Sequence, residues 1–179
     1  MDTLLFLALI PPDDIAAEVT AFKHLAAQRF HSKHALNSPA HITLQPPFQW
    51  PEDRLAELSG LLHSFSATCK PFSQELRDFD CFRPRVVFIN IILNEHLLDL
   101  ESRLKIALTP LLGRDQIDSR PYHPHMTVAF KDLRRREFYL AWEFFSQQTY
   151  PRTFTADALW LLRHNGRTWE PVQSFGFPK

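Results

Sequence analysis

The order of strand-like and helix-like segments in this chain repeats once at a nearly constant offset. Short apolar or alternating runs indicate strands, and apolar residues at spacings of three and four indicate helices, so each half is predicted to read strand–helix–strand–helix–strand. The opening strands of the two halves, Leu4–Ile10 and Val86–Leu93, begin 82 positions apart. A fixed offset predicts an internal duplication, with pseudo-repeats at about residues 1–82 and 83–164 and a C-terminal hairpin to residue 179.

This pattern predicts an α+β fold that is bilobal and duplicated, with two antiparallel-rich sheets and flanking helices around a central cleft. The 179 residues, 45% of them apolar, are expected to form a single domain, because a chain of this size can bury a sizeable core. The strand after His41 is expected to stop at Pro46-Pro47, a helix to begin at Asp132, and Phe154–Arg163 to form one closing strand. The first helix is expected to bury a face made of Ile15, Val19, Phe22, Ala26 and Phe30.

Two near-identical tetrapeptides fall at equivalent places in the two halves. They are His41-Ile42-Thr43-Leu44 and His125-Met126-Thr127-Val128, and their histidines lie 84 positions apart. Residues i and i+2 of a strand share a face, so the histidine and threonine of each motif are predicted to project together while the apolar residues enter the core. One such motif is typical of a hydrogen-bonded structural histidine. Two motifs in two facing lobes predict a cleft lined by two imidazoles and two hydroxyls.

Two facing histidines suit phosphoryl transfer by general acid–base catalysis, without a metal ion or another cofactor. Because histidine titrates near neutral pH, one imidazole can accept a proton from the attacking water or hydroxyl while the other protonates the departing ribose oxygen. Hydroxyl donors from Thr43 and Thr127 would stabilise the charge that develops on the phosphate oxygens. The residue types therefore predict metal-independent chemistry on a phosphodiester.

At these residues the chain resembles the two-histidine (2H) phosphoesterases, and within them the 2'-5' RNA ligase and RNA 2',3'-cyclic phosphodiesterase group. The family pattern is a pair of His-x-Thr/Ser-x motifs, and the chain also has the opening strand that ends in Pro-Pro and a proline before the second motif. The resemblance implies hydrolysis of 2',3'-cyclic phosphates on RNA ends or small cyclic nucleotides, or the cleavage and joining of 2'-5' RNA linkages. It implies catalytic roles for His41, Thr43, His125 and Thr127.

Residues beside the motifs are candidates for substrate binding. Arg85 matches a recurrent basic position of the family, whereas Tyr122 and Phe48 flank the motifs and would stack on a base. The run Arg134–Arg136 is most simply a solvated helix face, with docking of an RNA strand as its functional reading. The Gln45–Phe48 segment departs from the Phe-Leu-Gly-type continuation that RNA-processing members often have after the first motif.

Two other functions stay open. One is a non-catalytic nucleotide-binding or RNA-binding module with the same cleft. The other is a metal-dependent phosphodiesterase that uses His123 and His125 as ligands. Twenty Lys and Arg balance twenty Asp and Glu, which argues against nonspecific binding of long nucleic acid. Only four scattered glycines are present, which excludes a P-loop or a Gly-rich dinucleotide motif.

The remaining expectations concern location and assembly. Cys69 and Cys81 form no metal-binding or disulfide pattern and are expected to be reduced thiols. The apolar run Leu4–Ile10 is too short for a signal peptide or a membrane span. We therefore expect a cytoplasmic monomer without a membrane partner.

Overall fold

Strands and helices alternate along the chain in two similar series. The computed structural model describes residues 1–179. The first series is β1 (Asp2–Leu9), α1 (Asp13–Phe30), β2 (Ile42–Pro51), α2 (Leu55–Ser66) and β3 (Phe72–Phe82). The second is β4 (Val86–Ile91), α3 (Glu95–Leu112), β5 (His125–Ala129), α4 (Arg135–Phe145) and β6 (Pro151–Ala156). A hairpin of β7 (Ala158–His164) and β8 (Trp169–Gly176) follows, and short 3-10 helices cover His34–Asn37, Glu52–Arg54 and Arg114–Gln116.

The strands form two antiparallel four-stranded sheets, ordered β2-β1-β7-β8 and β5-β4-β3-β6. Each sheet is covered by one helix from each series: α1 and α4 pack on β5 and β4, and α3 and α2 pack on β2 and β8. One cluster of 41 buried residues runs through both layers. The predicted α+β class with two antiparallel sheets is confirmed.

The two motifs lie on edge strands that contact each other, β2 in one sheet and β5 in the other. Ile42 and Leu44 are buried on the core side of β2, and Met126 and Val128 are buried on the core side of β5. The alternation of strand side chains therefore leaves the histidine and threonine of each motif on the opposite face. This meeting of two sheet edges is what brings the motifs together.

β2 does not stop at Pro46-Pro47, as the sequence had suggested, but continues to Pro51. Proline is tolerated there because β2 is an edge strand, which needs ladder donors on one side only. The pairing with β1 is also irregular at this point, with Leu5 opposite Phe48 and Leu7 opposite Gln45. This bulge places both prolines where a missing N–H breaks no regular ladder bond.

Two other predicted boundaries are wrong. α4 begins at Arg135, not at Asp132, because the Asp132 carboxylate accepts hydrogen bonds from the chain after α1 instead of capping a helix. The segment Phe154–Arg163 is not one strand, since the chain passes from β6 in one sheet to β7 in the other at Asp157.

On α1, Lys23 is buried in place of the expected Phe22, which is only partly buried.

Candidate active site

His41, Thr43, His125 and Thr127 line one cavity with a volume of about 560 Å³. His41 immediately precedes β2 and His125 is the first residue of β5. All four side chains are partly exposed, whereas their neighbours along the strands are buried. The two motifs therefore face one cleft.

The two imidazoles are held in the same way. Nδ1 of His41 donates to the carbonyl oxygen of Pro39 at 2.8 Å, and Nδ1 of His125 donates to the carbonyl oxygen of His123 at 2.8 Å. A carbonyl oxygen can only accept, so in each neutral ring the proton lies on Nδ1 and the lone pair on Nε2. Each ring thus keeps one nitrogen free for a proton transfer.

Aromatic rings from the adjacent strands fix the planes of both histidines. The ring centroids of Phe6 on β1 and His41 are 4.9 Å apart, and those of Phe88 on β4 and His125 are 5.1 Å apart. Phe82 adds a second contact to His125, also at 5.1 Å. Packing against rings on the central strands restricts each imidazole to one orientation.

Burial lowers the pKa of both histidines. The pKa of His41 falls to about 4, mainly because the ring is desolvated, and the charges of Lys23 and His125 lower it further. The carbonyl of Pro39 opposes this effect because it favours a protonated ring. The pKa of His125 is lowered as well, again chiefly by desolvation, with the carbonyl of His123 acting in the opposite direction. At neutral pH the His41 ring is therefore uncharged.

Tyr122 lines the same cavity, and its hydroxyl donates to the carbonyl oxygen of Thr43 at 3.1 Å. Burial, with the charge of Glu101 as a smaller cause, raises the pKa of Tyr122, so the phenol keeps its proton. This bond joins the segment before β5 to β2. Tyr122 thus links the two motif strands by a hydrogen bond and also lines the cleft.

The other residues expected at the site lie elsewhere. Phe48 is a core residue with 3% of its surface exposed, so it presents no ring for stacking on a base. Arg85 is exposed and lies outside the cavity lining, although the next residue, Val86, belongs to it. The Arg134–Arg136 run is exposed at the start of α4 and does not line the cavity.

The cavity also contains charged groups that the sequence did not single out. Glu101 and Lys105, one turn apart on α3, form an ion pair at 2.5 Å. Arg120 contacts Asp118 with two nitrogens, at 2.8 and 2.9 Å. Glu101 could have been singled out from the sequence, because it is a charged residue on the buried stripe of α3, between Leu97 and Leu104. No pattern in the sequence indicates that Asp118 and Arg120, in the loop before Tyr122, line the cavity.

A loop from the first half closes one side of the cleft. The Asp132 carboxylate accepts hydrogen bonds from the Ser32 hydroxyl at 2.9 Å and from the backbone N–H groups of Lys33 and His34 at 2.8 and 3.0 Å. The His34 ring lines the cavity, with its centroid 5.1 Å from that of Phe130. A carboxylate after β5 thus anchors the turn that presents His34.

His123 and His125 stand near each other at the cavity, but no group of three or more His, Cys, Asp or Glu side chains is arranged to hold a metal ion. Cys69 and Cys81 are both free thiols. None of the helices has the length and apolar character that crossing a bilayer requires.

The fold and the cavity together define an α+β protein with two antiparallel sheets and a pair of His-x-Thr motifs in one cleft. The family model of the 2'-5' RNA ligase superfamily matches residues 11–168, and the chain belongs to this superfamily of 2H phosphoesterases.

Other proteins are similar to the chain in sequence, and solved structures are similar to it in fold. A relative from Geobacillus thermodenitrificans is 29% identical over 119 residues, which cover 65% of each chain. The RNA 2',3'-cyclic phosphodiesterase of Bacillus subtilis is 35% identical over 95 residues, 51% of each chain, so these matches span between about half and two thirds of the relatives' lengths. The crystal structure of E. coli LigT complexed with 3'-AMP superimposes over 100% of both chains with a TM-score of 0.69 and 20% identity, which shows a shared fold.

Proposed function

We propose that this protein is a metal-independent phosphodiesterase that opens a 2',3'-cyclic phosphate, on an RNA end or a nucleotide, with His41 and His125 as the proton-transfer groups. The observation that supports this most is the matched pair of imidazoles. Each ring is bound through Nδ1 to the carbonyl two residues earlier, and each lines the same cavity. Such a pair leaves two Nε2 atoms for the two proton transfers that hydrolysis of a phosphodiester requires.

In this mechanism His41 is the general base. Its lowered pKa keeps Nε2 unprotonated, so it can accept a proton from water as the water oxygen attacks phosphorus. His125 is the general acid: the negative charge of a bound phosphate favours its imidazolium form, which then protonates the ribose oxygen as the P–O bond to that oxygen breaks. The same sequence, with the 5'-hydroxyl of a second RNA end in place of water, would form a new P–O bond while the 3'-oxygen leaves and takes the proton of His125, and so would join the two ends through a 2'-5' linkage.

Thr43 and Thr127 are proposed as donors to the non-bridging phosphate oxygens. Both side chains line the cavity two residues after their histidines, on the same strand faces. Donors that are fixed before the reaction stabilise the charge of the transition state without reorganising. Lys105 and Arg120, which also line the cavity, would raise the local positive potential, although each is paired with a carboxylate.

The names of related proteins support the same substrate class. The Bacillus subtilis relative is an RNA 2',3'-cyclic phosphodiesterase, and LigT has been crystallised with 3'-AMP, phosphate and ATP. A cavity of about 560 Å³ is large enough for one nucleotide. We therefore propose RNA ends or small cyclic nucleotides as substrates of this chain.

The proposal is tested with a panel of 2',3'-cyclic mononucleotides, oligonucleotides ending in a cyclic phosphate and 2'-5' linked dinucleotides, assayed with EDTA present. We expect hydrolysis of at least one cyclic phosphate at the same rate with and without EDTA. Binding without turnover across the panel and a wide pH range would instead indicate a binding module. Loss of activity with EDTA, restored by a divalent ion, would indicate the metal-dependent alternative.

A further inference from the structure

A second cavity, of about 290 Å³, adjoins the cleft and has a different character. It shares Asn37, Ser38 and Trp169 with the cleft, so these residues lie between the two spaces and line both of them. The side cavity, as we call this space, also contacts Lys23 and Thr168, and no aspartate or glutamate lines it. Its lining therefore combines polar groups with one cation and no anion.

Lys23 is the unusual member of this lining. Only 2% of its surface is exposed, and its ammonium donates to the carbonyl oxygen of Ser38 at 2.9 Å. None of the seven ion pairs of the protein includes Lys23. Burial lowers the pKa of Lys23 to about 8. A buried ammonium without a counter-charge is costly, and an anion in the side cavity would offset that cost.

The side cavity also offers donors beyond the ammonium. The Lys23 ammonium has three N–H groups, and one of them is used on Ser38. Asn37 and Ser38 line both this cavity and the cleft, and neither side chain makes a hydrogen bond to another protein group. Several donors around one cation suit a tetrahedral oxyanion, which has several acceptor atoms.

The side cavity also lies close to the reacting groups. Lys23 binds the carbonyl of Ser38, and His41 binds the carbonyl of Pro39, the next residue. Consecutive Cα atoms are about 3.8 Å apart, so the ammonium and the imidazole hold neighbouring points of one short segment. A ligand with its cyclic phosphate between the histidines and a second phosphate at Lys23 would run along this segment, beside Trp169.

We propose that the side cavity binds a second phosphate group of the substrate, with Lys23 as its counter-charge. This inference rests on the proposed function and narrows it. The preferred substrate is then a 2',3'-cyclic phosphate that carries a further phosphate, as a 5'-phosphorylated nucleotide or an oligonucleotide end does, and not a cyclic nucleoside phosphate alone. No bond is made or broken in the side cavity.

Binding tests this without turnover. The dissociation constants of adenosine 3'-monophosphate and adenosine 3',5'-bisphosphate are measured by calorimetry for the wild type, Lys23→Met and the exposed-charge control Lys70→Met. We expect the second phosphate to tighten binding about tenfold in the wild type and in Lys70→Met, and the advantage to disappear in Lys23→Met. An equal advantage in all three proteins, or none in the wild type, would overturn the proposal.

A measurement on the wild type covers the case in which Lys23→Met does not fold. The pKa of Lys23, followed by NMR of its side chain, should rise when the bisphosphate is bound and rise less with the monophosphate. Inorganic phosphate forms a separate arm. If it raises the pKa of Lys23 while the bisphosphate does not, the cavity binds free phosphate and the substrate assignment is wrong.

Turnover separates this proposal from the proposed function. The ratio of kcat/KM for adenosine 2',3'-cyclic phosphate with and without a 5'-phosphate should exceed one in the wild type and approach one in Lys23→Met. A fall of both values with an unchanged ratio would show that Lys23 only positions the Ser38–His41 segment, which contradicts the proposal. If no cyclic phosphate is hydrolysed but the bisphosphate advantage depends on Lys23, the proposed function fails and the phosphate site stands.

Discussion

The burial of His41 predicts a specific loss of stability in mild acid. The pKa of His41 is about 4 in the folded protein, against an ordinary value of 6.5 that the unfolded chain would show. Below pH 6.5 the unfolded state therefore binds a proton that the folded state does not, and stability present at neutral pH is lost as the pH falls towards 4. Between pH 7 and pH 5 this linkage amounts to about 2 kcal/mol for one histidine.

The perturbation that isolates this effect is His41→Gln. Glutamine does not titrate and its amide can still donate to the Pro39 carbonyl, so the variant should lose about 2 kcal/mol less than the wild type over the same pH range. His125, whose pKa is lowered too, contributes in the same direction in both proteins. The assay is urea unfolding at pH 7, 6 and 5, with the exposed His63→Gln as control. Parallel stability curves for the wild type and His41→Gln would refute the reasoning.

Other predictions concern pH, capping and the cleft wall. The pH dependence of kcat/KM reports the free enzyme, in which burial lowers the pKa of both histidines. The value of kcat/KM should therefore be greatest below pH 6.5 and should fall at higher pH, as His125 loses its proton. An optimum above pH 7.5 would contradict the assigned roles. The Asn94 side chain accepts from the Leu97 N–H at 2.9 Å at the start of α3, so Asn94→Ala should cost about 1 kcal/mol in urea unfolding, and an unchanged midpoint would argue against the cap. Asp132→Ala removes the acceptor of three hydrogen bonds and should cost about 1–3 kcal/mol and speed amide exchange at His34, whereas unchanged exchange would show that Asp132 does not anchor this loop.

The parts of the fold that depend on local periodicity could be predicted from the sequence. The alternation around His41 and His125 gave the face of each motif, because strand geometry fixes it without reference to the rest of the chain. The repeated order of elements then indicated that the two strands occupy related places. The extent of the two pseudo-repeats stays a prediction. In the structure, β3 pairs with β4 and β7 pairs with β1, so each sheet draws strands from distant parts of the chain.

What could not be predicted depends on contacts between distant segments. Pro46-Pro47 is a strand terminator by local rules, and only the edge position of β2 makes it acceptable inside the strand. Aspartate is a residue type that favours the N-cap of a helix, yet the Asp132 carboxylate accepts hydrogen bonds from a loop about 100 residues earlier in the chain. Lys23 follows Val19 by four residues, so its buried position fits the helical period. Phe22 was nevertheless expected to be the buried residue of this turn, because it is apolar whereas Lys23 carries a charge.

The central claim is that His41 and His125 carry the two proton transfers. The most direct measurement is single-turnover hydrolysis of a 2',3'-cyclic phosphate by the wild type, His41→Gln, His125→Gln and the control His63→Gln, with folding checked for each. The account predicts that either cleft variant loses about 10²–10⁴-fold in rate, while the control keeps the wild-type rate. A folded His41→Gln or His125→Gln protein that hydrolyses the substrate at the wild-type rate would contradict it.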